Sequence, residues 1–171
     1  MRKLICLLAL AMAVALGAGC AKMPVRGDYM QDTPPQIVPD QESAVVYFLR
    51  ESAFTGGGIT YFIFEDDTKI GLLKSGSYFI HKATPGKHTY LAETESRAAV
   101  TLDIQPGQTY YIEGSVGMGF WAGRPQLTEI TKPVADKLLP DLKYIRLATP
   151  EETDAYKQKE MESNKNSGVI L

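Results

Sequence analysis

Cysteine and histidine are scarce in this sequence, which contains two of each among its 171 residues. Cys6 and Cys20 both lie close to the N-terminus, and Cys6 falls inside an apolar run. No disulfide can therefore form along the chain after residue 20. A domain in that part of the chain must be stabilised by packing alone.

Motifs that would indicate a particular enzymatic reaction are also lacking. The sequence contains no nucleophile elbow, no phosphate-binding glycine loop and no metalloprotease histidine pair. We therefore expect neither catalytic residues nor a cofactor, and an enzyme is the least favoured class of function.

The sequence also lacks a large excess of positive or negative charge. Eighteen Lys and Arg residues oppose twenty Asp and Glu residues, which gives a formal net charge of −2. This balance indicates neither a nucleic-acid partner nor a basic patch that would attract a membrane.

The N-terminus carries the clearest signal in the chain. Arg2 and Lys3 precede an uninterrupted apolar run over residues 4–16, which is the layout of a secretory signal peptide. Small residues follow, and residues 16–20 resemble a bacterial lipobox that ends on Cys20. In that family the cysteine thiol is joined to diacylglycerol and becomes the new N-terminus. The large aliphatic residue stands one position earlier than usual, as Leu16.

Two alternatives to the lipoprotein interpretation remain open. The apolar run from residue 4 through residue 21 reaches the lower limit of about 18 residues for an uncleaved membrane-spanning anchor. An ordinary secreted product cut just before Cys20 is the other, and it would carry one exposed thiol.

If Cys20 is acylated, its acyl chains hold the protein on a membrane in the bacterial cell envelope. Ala21 follows the cysteine in place of Asp. Resemblance to Gram-negative lipoproteins then implies the outer membrane. The predicted organisation is a signal peptide at 1–19, the lipid-attached cysteine and a flexible proline-bearing tether at 20–42, a β-domain at 43–148, and a polar helix with a loose tail at 149–171.

Short apolar runs, separated by Gly, Pro and Asp, begin at residue 43. This pattern predicts an all-β fold, an antiparallel β-sandwich of about seven to nine short strands, with a small barrel as the second choice. The predicted strands are residues 44–50, 60–65, 69–73, 78–82, 87–94, 98–105, 109–116, 127–131 and 142–147.

Two helices complete the prediction. Residues 133–139 form a short helix that we expect on an open end of the sandwich. Thr149, Pro150 and Glu152 form a helix start with a capping box, and the helix extends to about residue 163. Because it is polar nearly all round, we expect it to be exposed to solvent.

The runs VVYFLR, FEDDTKIGLLKSGSYF, ATPGKHTY and IQPGQTYYIE occur in this order over residues 43–113. In order and spacing they resemble a family of short bacterial envelope lipoproteins built on a domain of unknown function. That domain is similar to PEGA modules and, more loosely, to the transthyretin-like fold. The resemblance implies a sandwich in the cell envelope, and it carries over no catalytic residues.

The two histidines raise the question of a metal site. If Pro85 and Gly86 formed a two-residue hairpin turn, His81 and His88 would be diagonal neighbours on one face. A longer loop with another register is favoured instead, and we expect strand histidines with structural partners and no metal.

One loop stands out as a candidate binding surface. Residues 115–125 are rich in glycine and contain Phe120, Trp121, the only tryptophan, and Arg124. Aromatic residues and arginine are favoured anchors of binding surfaces. The alternative is that Phe120 and Trp121 cover one end of the core.

The sequence thus favours a lipid-anchored, non-catalytic interaction or accessory module of the cell envelope, with an envelope protein as its expected partner. A sandwich or barrel that binds a small apolar or glycan ligand is the second choice.

Overall fold

The computed structural model describes residues 25–166 except residues 55, 95 and 118–122. Two β-sheets are packed face to face, so the predicted sandwich is confirmed, and within these described residues it has ten strands. The six-stranded sheet has the order β1 (Tyr29–Gln31), β10 (Lys143–Leu147), β5 (Ser77–Ala83), β2 (Ala44–Arg50), β8 (Thr109–Gly117) and β9 (Arg124–Ile130), and the four-stranded sheet has the order β4 (Thr68–Leu73), β3 (Tyr61–Glu65), β6 (Gly86–Glu93) and β7 (Arg97–Ile104).

The alternation of β7 shows why these residues form strands. Leu102 and Ile104 are buried, whereas Thr101 and Asp103 are exposed, as a period of two predicts. Strand β2 is apolar on both faces because both are covered. Val46 and Phe48 face the interior of the sandwich, and Leu49 faces the opposite side.

The core lies between the two sheets. Phe48 stacks on Phe79 with ring centroids 4.6 Å apart, and the edge of Tyr90 contacts it from the other sheet at 5.0 Å. The largest fully buried side chains are Tyr61, Tyr90, Phe48, Leu49, Ile63, Leu72, Leu73, Ile104 and Ile112.

Strand direction in the six-stranded sheet is mixed. Strands β2 and β8 run parallel, as do β5 and β10, and the other pairs in this sheet are antiparallel. Neither parallel pair is consecutive in sequence. Strands β6 and β7 of the four-stranded sheet lie between β2 and β8 in the chain, and also between β5 and β10.

Helix α1 (Lys132–Leu138) matches the predicted short helix, and a 3-10 turn (Leu139–Asp141) follows it. Its position differs from the expectation. Ala135 is buried against Leu49 and Tyr111, so the helix covers the outer face of the six-stranded sheet and not an open end of the sandwich. The reason is that β2 and β8 carry apolar residues on that face as well.

The N-terminal segment corrects the predicted tether. Strand β1 lies within residues 20–42 and pairs antiparallel with β10, and Tyr29 packs in a cluster with Ile145 and Phe62. Residues 29–31 of the predicted tether are therefore a strand of the domain, whereas residues 32–39 form neither strand nor helix.

Helix α2 (Pro150–Asn166) begins where the capping box predicted. The Thr149 amide donates to the Glu152 carboxylate at 2.8 Å, and the Glu152 amide donates to the Thr149 hydroxyl at 3.3 Å. Its first turns are partly covered by the domain, because the Thr153 hydroxyl donates to the carbonyl of Gly27 at 3.0 Å. Residues 157–163 are exposed, as the polar sequence predicted.

Candidate functional site

The structure describes only one of the site residues that the sequence predicted. Cys20, Phe120 and Trp121 lie outside the described residues, so their predictions stay predictions. Arg124 is exposed at the first position of β9, where it pairs with Gly117 of β8. Of the candidate binding loop, the structure describes the two strand ends that carry it.

A buried arginine holds the loop that connects β2 to β3. Arg50, at the end of β2, is 2 % exposed, and its guanidinium donates to the carbonyls of Ile59 at 2.6 Å and Gly56 at 2.8 Å. It also lies over the Tyr61 ring, with 5.2 Å from its Cζ to the ring centroid. Burial lowers the pKa of Arg50 and raises that of Tyr61 to about 12. The guanidinium thus fixes the backbone of the loop between β2 and β3.

The same loop contacts the end of the candidate binding loop. An added Cβ at Gly56 would touch Val116 at 3.2 Å, and one at Gly123 would meet Val116 and Ile59. The Thr94 hydroxyl, at the end of β6, donates to the Gly123 carbonyl at 3.2 Å. Both sheets therefore fix the position at which the candidate loop re-enters β9.

The two histidines meet on one carboxylate, not on a hairpin. His81 lies on β5 in one sheet and His88 on β6 in the other, so the hairpin pairing considered for residues 81–90 is wrong. His81 Nε2 lies 3.0 Å from Glu65 Oε2, and His88 Nδ1 lies 2.5 Å from Glu65 Oε1. Glu65 thereby joins the two sheets at one end of the interior.

Tyr90 borders this cluster of Glu65, His81 and His88. Its hydroxyl is buried without a hydrogen-bond partner among the described residues. Burial, together with the Glu65 carboxylate, raises the pKa of Tyr90, and burial lowers the pKa of His81. Within the part of the chain that the structure describes, no group of three or more His, Cys, Asp and Glu side chains is arranged to hold a metal ion. The cluster is best explained as a polar connection between the sheets.

A feature that the sequence interpretation missed is a row of tyrosines on the outer face of the six-stranded sheet. Tyr111, Tyr47, Tyr78 and Tyr144 lie on the adjacent strands β8, β2, β5 and β10, and we call them the tyrosine row. Neighbouring ring centroids are 5.3, 6.4 and 5.5 Å apart in that order. Tyr47 and Tyr78 are half-buried, and Tyr111 is buried.

Two of the three ring contacts in the row are stacked, and the third, between Tyr78 and Tyr144, is edge-to-face. Tyr47 and Tyr111 are paired in register, and their planes differ by 26°. The two rings form an offset stack with centroids 5.3 Å apart, and because Tyr111 is buried, only the Tyr47 ring of this pair is partly exposed. Burial, followed by neighbouring Tyr47 and Tyr144, raises the pKa of Tyr78. The partly exposed members of the row, Tyr47, Tyr78 and Tyr144, therefore present apolar ring surface and hydroxyl groups.

The surface of the domain has two depressions, one beside the tyrosine row and one beside α2. One, of about 420 Å³, lies at the Tyr111 end of the row and is lined also by Thr109, Ile130 and Lys132. The other, of about 350 Å³, lies between Phe62 and α2 and is lined by Lys69, Asp154 and Lys157 among others. Both are open to solvent.

A signal for the row exists in the sequence but is weak. Tyr47, Tyr78, Tyr111 and Tyr144 occur about 31 to 33 positions apart, each in a predicted strand. Only the strand order β8, β2, β5, β10 makes them neighbours. A sequence pattern gives the face of a residue within its own strand, but not the strand beside it.

Comparison with known proteins finds a family match for part of the chain, and this match indicates no reaction or ligand. Among the described helices, none combines the length and apolar character needed to cross a membrane. No curated protein and no solved structure matches the chain. A family model does match residues 40–123, from just before β2 to just after β8, and leaves out β1, β9, β10 and both helices. Residues 40–123 are thus similar to DUF2846, a family described as a protein of unknown function.

Proposed function

We propose that this protein is a lipid-anchored component of the bacterial cell envelope that acts as a non-catalytic interaction or accessory module. Residues 16–20 support the anchor by their resemblance to a lipobox. The similarity to DUF2846 fits the resemblance to short envelope lipoproteins, and the sandwich fits the further likeness to PEGA and transthyretin-like modules. With Ala21 after the cysteine, the proposed location is the outer membrane of a Gram-negative cell.

The tyrosine row is the observation that carries the interaction role. It extends across four strands. Tyr111 is buried beside α1, and the rings of Tyr47, Tyr78 and Tyr144, which are only partly covered, offer apolar surface with a hydroxyl group. Tyrosine is enriched at protein interfaces because it combines a rigid apolar body with a polar tip. An envelope protein is the partner that such a surface fits.

The interior of the sandwich supports this role over small-ligand binding. Large side chains from both sheets meet there, including Phe48, Tyr61 and Tyr90, each at most 1 % exposed. A sandwich or barrel that holds an apolar ligand needs interior space, which these side chains occupy. The stacking of Tyr47 on Tyr111 also covers one face of each of these two rings, which leaves less ring surface to stack on a sugar.

The anchor is tested by Cys20→Ser in the full chain. We expect the variant to lose incorporation of a labelled fatty acid and to leave the membrane fraction, because no other mature cysteine can be acylated. Unchanged labelling of the variant would contradict the proposed anchor.

The interaction role is tested by photo-cross-linking in intact envelopes. A benzoylphenylalanine at position 78 replaces one aromatic ring of the row by another, and Lys87, exposed on β6, provides the control position. We expect discrete cross-linked products from position 78 and none from position 87. Equal products from both positions, or no products from position 78, would contradict the proposal.

A further inference from the structure

The point at which the chain enters the domain is held from several directions. The Val25 amide donates to the Asp28 carboxylate at 2.8 Å, and the Asp28 amide donates to the Val25 carbonyl at 3.1 Å, which closes a turn. The Ala148 amide donates to the Asp28 carbonyl at 3.0 Å. The domain is therefore folded from residue 25 onward, and not from residue 43.

Helix α2 completes this attachment. Gly27 has a φ of +94°, and its Cα faces the Tyr156 ring so closely that an added Cβ would lie 2.7 Å from a ring carbon. The Thr153 hydroxyl donates to the Gly27 carbonyl. We call the surface formed by residues 25–31 and the first two turns of α2 the entry face.

The length of chain between Cys20 and the entry face limits how far the domain can stand from a membrane. Val25 is five residues after Cys20. Five residues span at most about 18 Å when fully extended. A tether through residue 42 would have reached on the order of 65 Å. With acyl chains on Cys20, the entry face cannot leave the neighbourhood of the lipid.

We propose that the entry face is turned toward the lipid surface and that β9 lies on the far side of the domain; this inference rests on the proposed acylation of Cys20. The strand order puts β9 five strand spacings from β1. At about 4.8 Å per spacing, this offset is roughly 24 Å. The partner that fits the entry face is thus the membrane that holds the anchor.

The orientation has a consequence for the tyrosine row. Tyr144 lies on β10, next to β1, and Tyr111 lies on β8, next to β9. The row would extend from the membrane side of the domain outward. A partner embedded in the same membrane would meet Tyr144 first.

Energy transfer to labelled lipid tests the orientation. Arg26→Cys on the entry face and Thr128→Cys on β9 replace exposed residues, and each gives one labelling site because the Cys20 thiol is blocked by lipid. The acylated full chain, with a donor dye at either site, is inserted into phosphatidylethanolamine and phosphatidylglycerol vesicles that carry an acceptor lipid. We expect transfer at least about twofold more efficient from position 26, given an offset of roughly 24 Å.

Equal transfer from both positions, or stronger transfer from position 128, would overturn the orientation. A flexible Gly and Ser insertion of about 20 residues after Ala21 is the matched control, because it lengthens the tether without changing the domain. We expect it to bring the two efficiencies together, and a difference that persists with the insertion would contradict the role of the short tether. Flotation of the vesicles is measured first: protein that does not float contradicts acylation itself, whereas protein that floats with equal transfer contradicts only the orientation.

Discussion

The guanidinium of Arg146 on β10 donates a hydrogen bond of 2.6 Å to the Asp32 carboxylate, 114 positions earlier in the chain. The same guanidinium donates to both Glu152 oxygens, at 2.7 and 2.8 Å. These hydrogen bonds raise the pKa of Arg146 and lower that of Glu152 to about 2. Arg146 therefore connects the segment after β1 with the first turn of α2, and both ends of the described chain are packed together.

Replacing this arginine should loosen β1. In Arg146→Gln the connection to Asp32 and Glu152 is lost, while Lys143→Gln changes an exposed lysine on the same strand. We expect faster amide hydrogen exchange at residues 29–31 in the first variant and no change in the second. Exchange at β2, measured in the same experiment, should stay slow. Unchanged exchange at β1 would contradict the connecting role of Arg146.

A methyl group at Gly27 should destabilise the protein. The backbone there has φ of +94°, and an added Cβ would collide with the Tyr156 ring. We expect Gly27→Ala to lower the free energy of unfolding by about 1–3 kcal/mol, measured by denaturant titration. Gly58→Ala is the matched control, because nothing lies within 4 Å of its added Cβ. Equal losses in the two variants would contradict this account of Gly27.

Two phenylalanines provide a test of where the core lies. Phe48 is fully buried between Phe79 and Tyr90, whereas Phe54 is fully exposed. We expect Phe48→Ala to cost about 3–5 kcal/mol of unfolding free energy, because it leaves a cavity between the sheets. Phe54→Ala should change it by less than about 0.5 kcal/mol. A small effect at Phe48 would mean that the two sheets are not packed as described.

The stability of the protein should fall as the pH drops below 7. Burial lowers the pKa of His81 from its ordinary value of 6.5, against the opposing effect of Glu65. The unfolded chain then binds a proton more readily than the folded chain does, so stability rises with pH through this range. The destabilisation begins near pH 6.5 and is complete once the pH is below the folded pKa. Glu65, His88 and Tyr90 are the titratable groups that face this imidazole.

His81→Gln isolates this contribution. Glutamine keeps a hydrogen-bond donor for Glu65 but does not titrate. We expect the loss of unfolding free energy between pH 7 and pH 5 to be smaller in the variant than in the natural protein. The same loss in both proteins would show that His81 is not its source. Circular dichroism at pH 7 verifies that the variant is folded.

Local pattern was sufficient for most of the strands and for the start of α2. Alternation in β7 placed Leu102 and Ile104 inward, as observed, because a strand exposes successive side chains on opposite faces. The capping box at Thr149 and Glu152 marked the helix start because both hydrogen bonds form between residues three apart.

Local pattern was not sufficient where a partner comes from elsewhere in the chain. Strand β1 has three residues and shows no period of its own, so only pairing with β10 makes it a strand. His81 and His88 alternate correctly within their strands, but the strands belong to different sheets, which no spacing of seven residues reveals.

The sequence by itself determined the all-β class, most strand positions and the two helices, because each depends on residues close together in the chain. Tertiary structure alone decided which strands are neighbours. It brought Tyr47 beside Tyr111, joined His81 to His88 through Glu65, and packed Gly27 under Tyr156. These contacts depend on the order of strands in the sheets, and that order follows from the packing of the whole core and not from any local period.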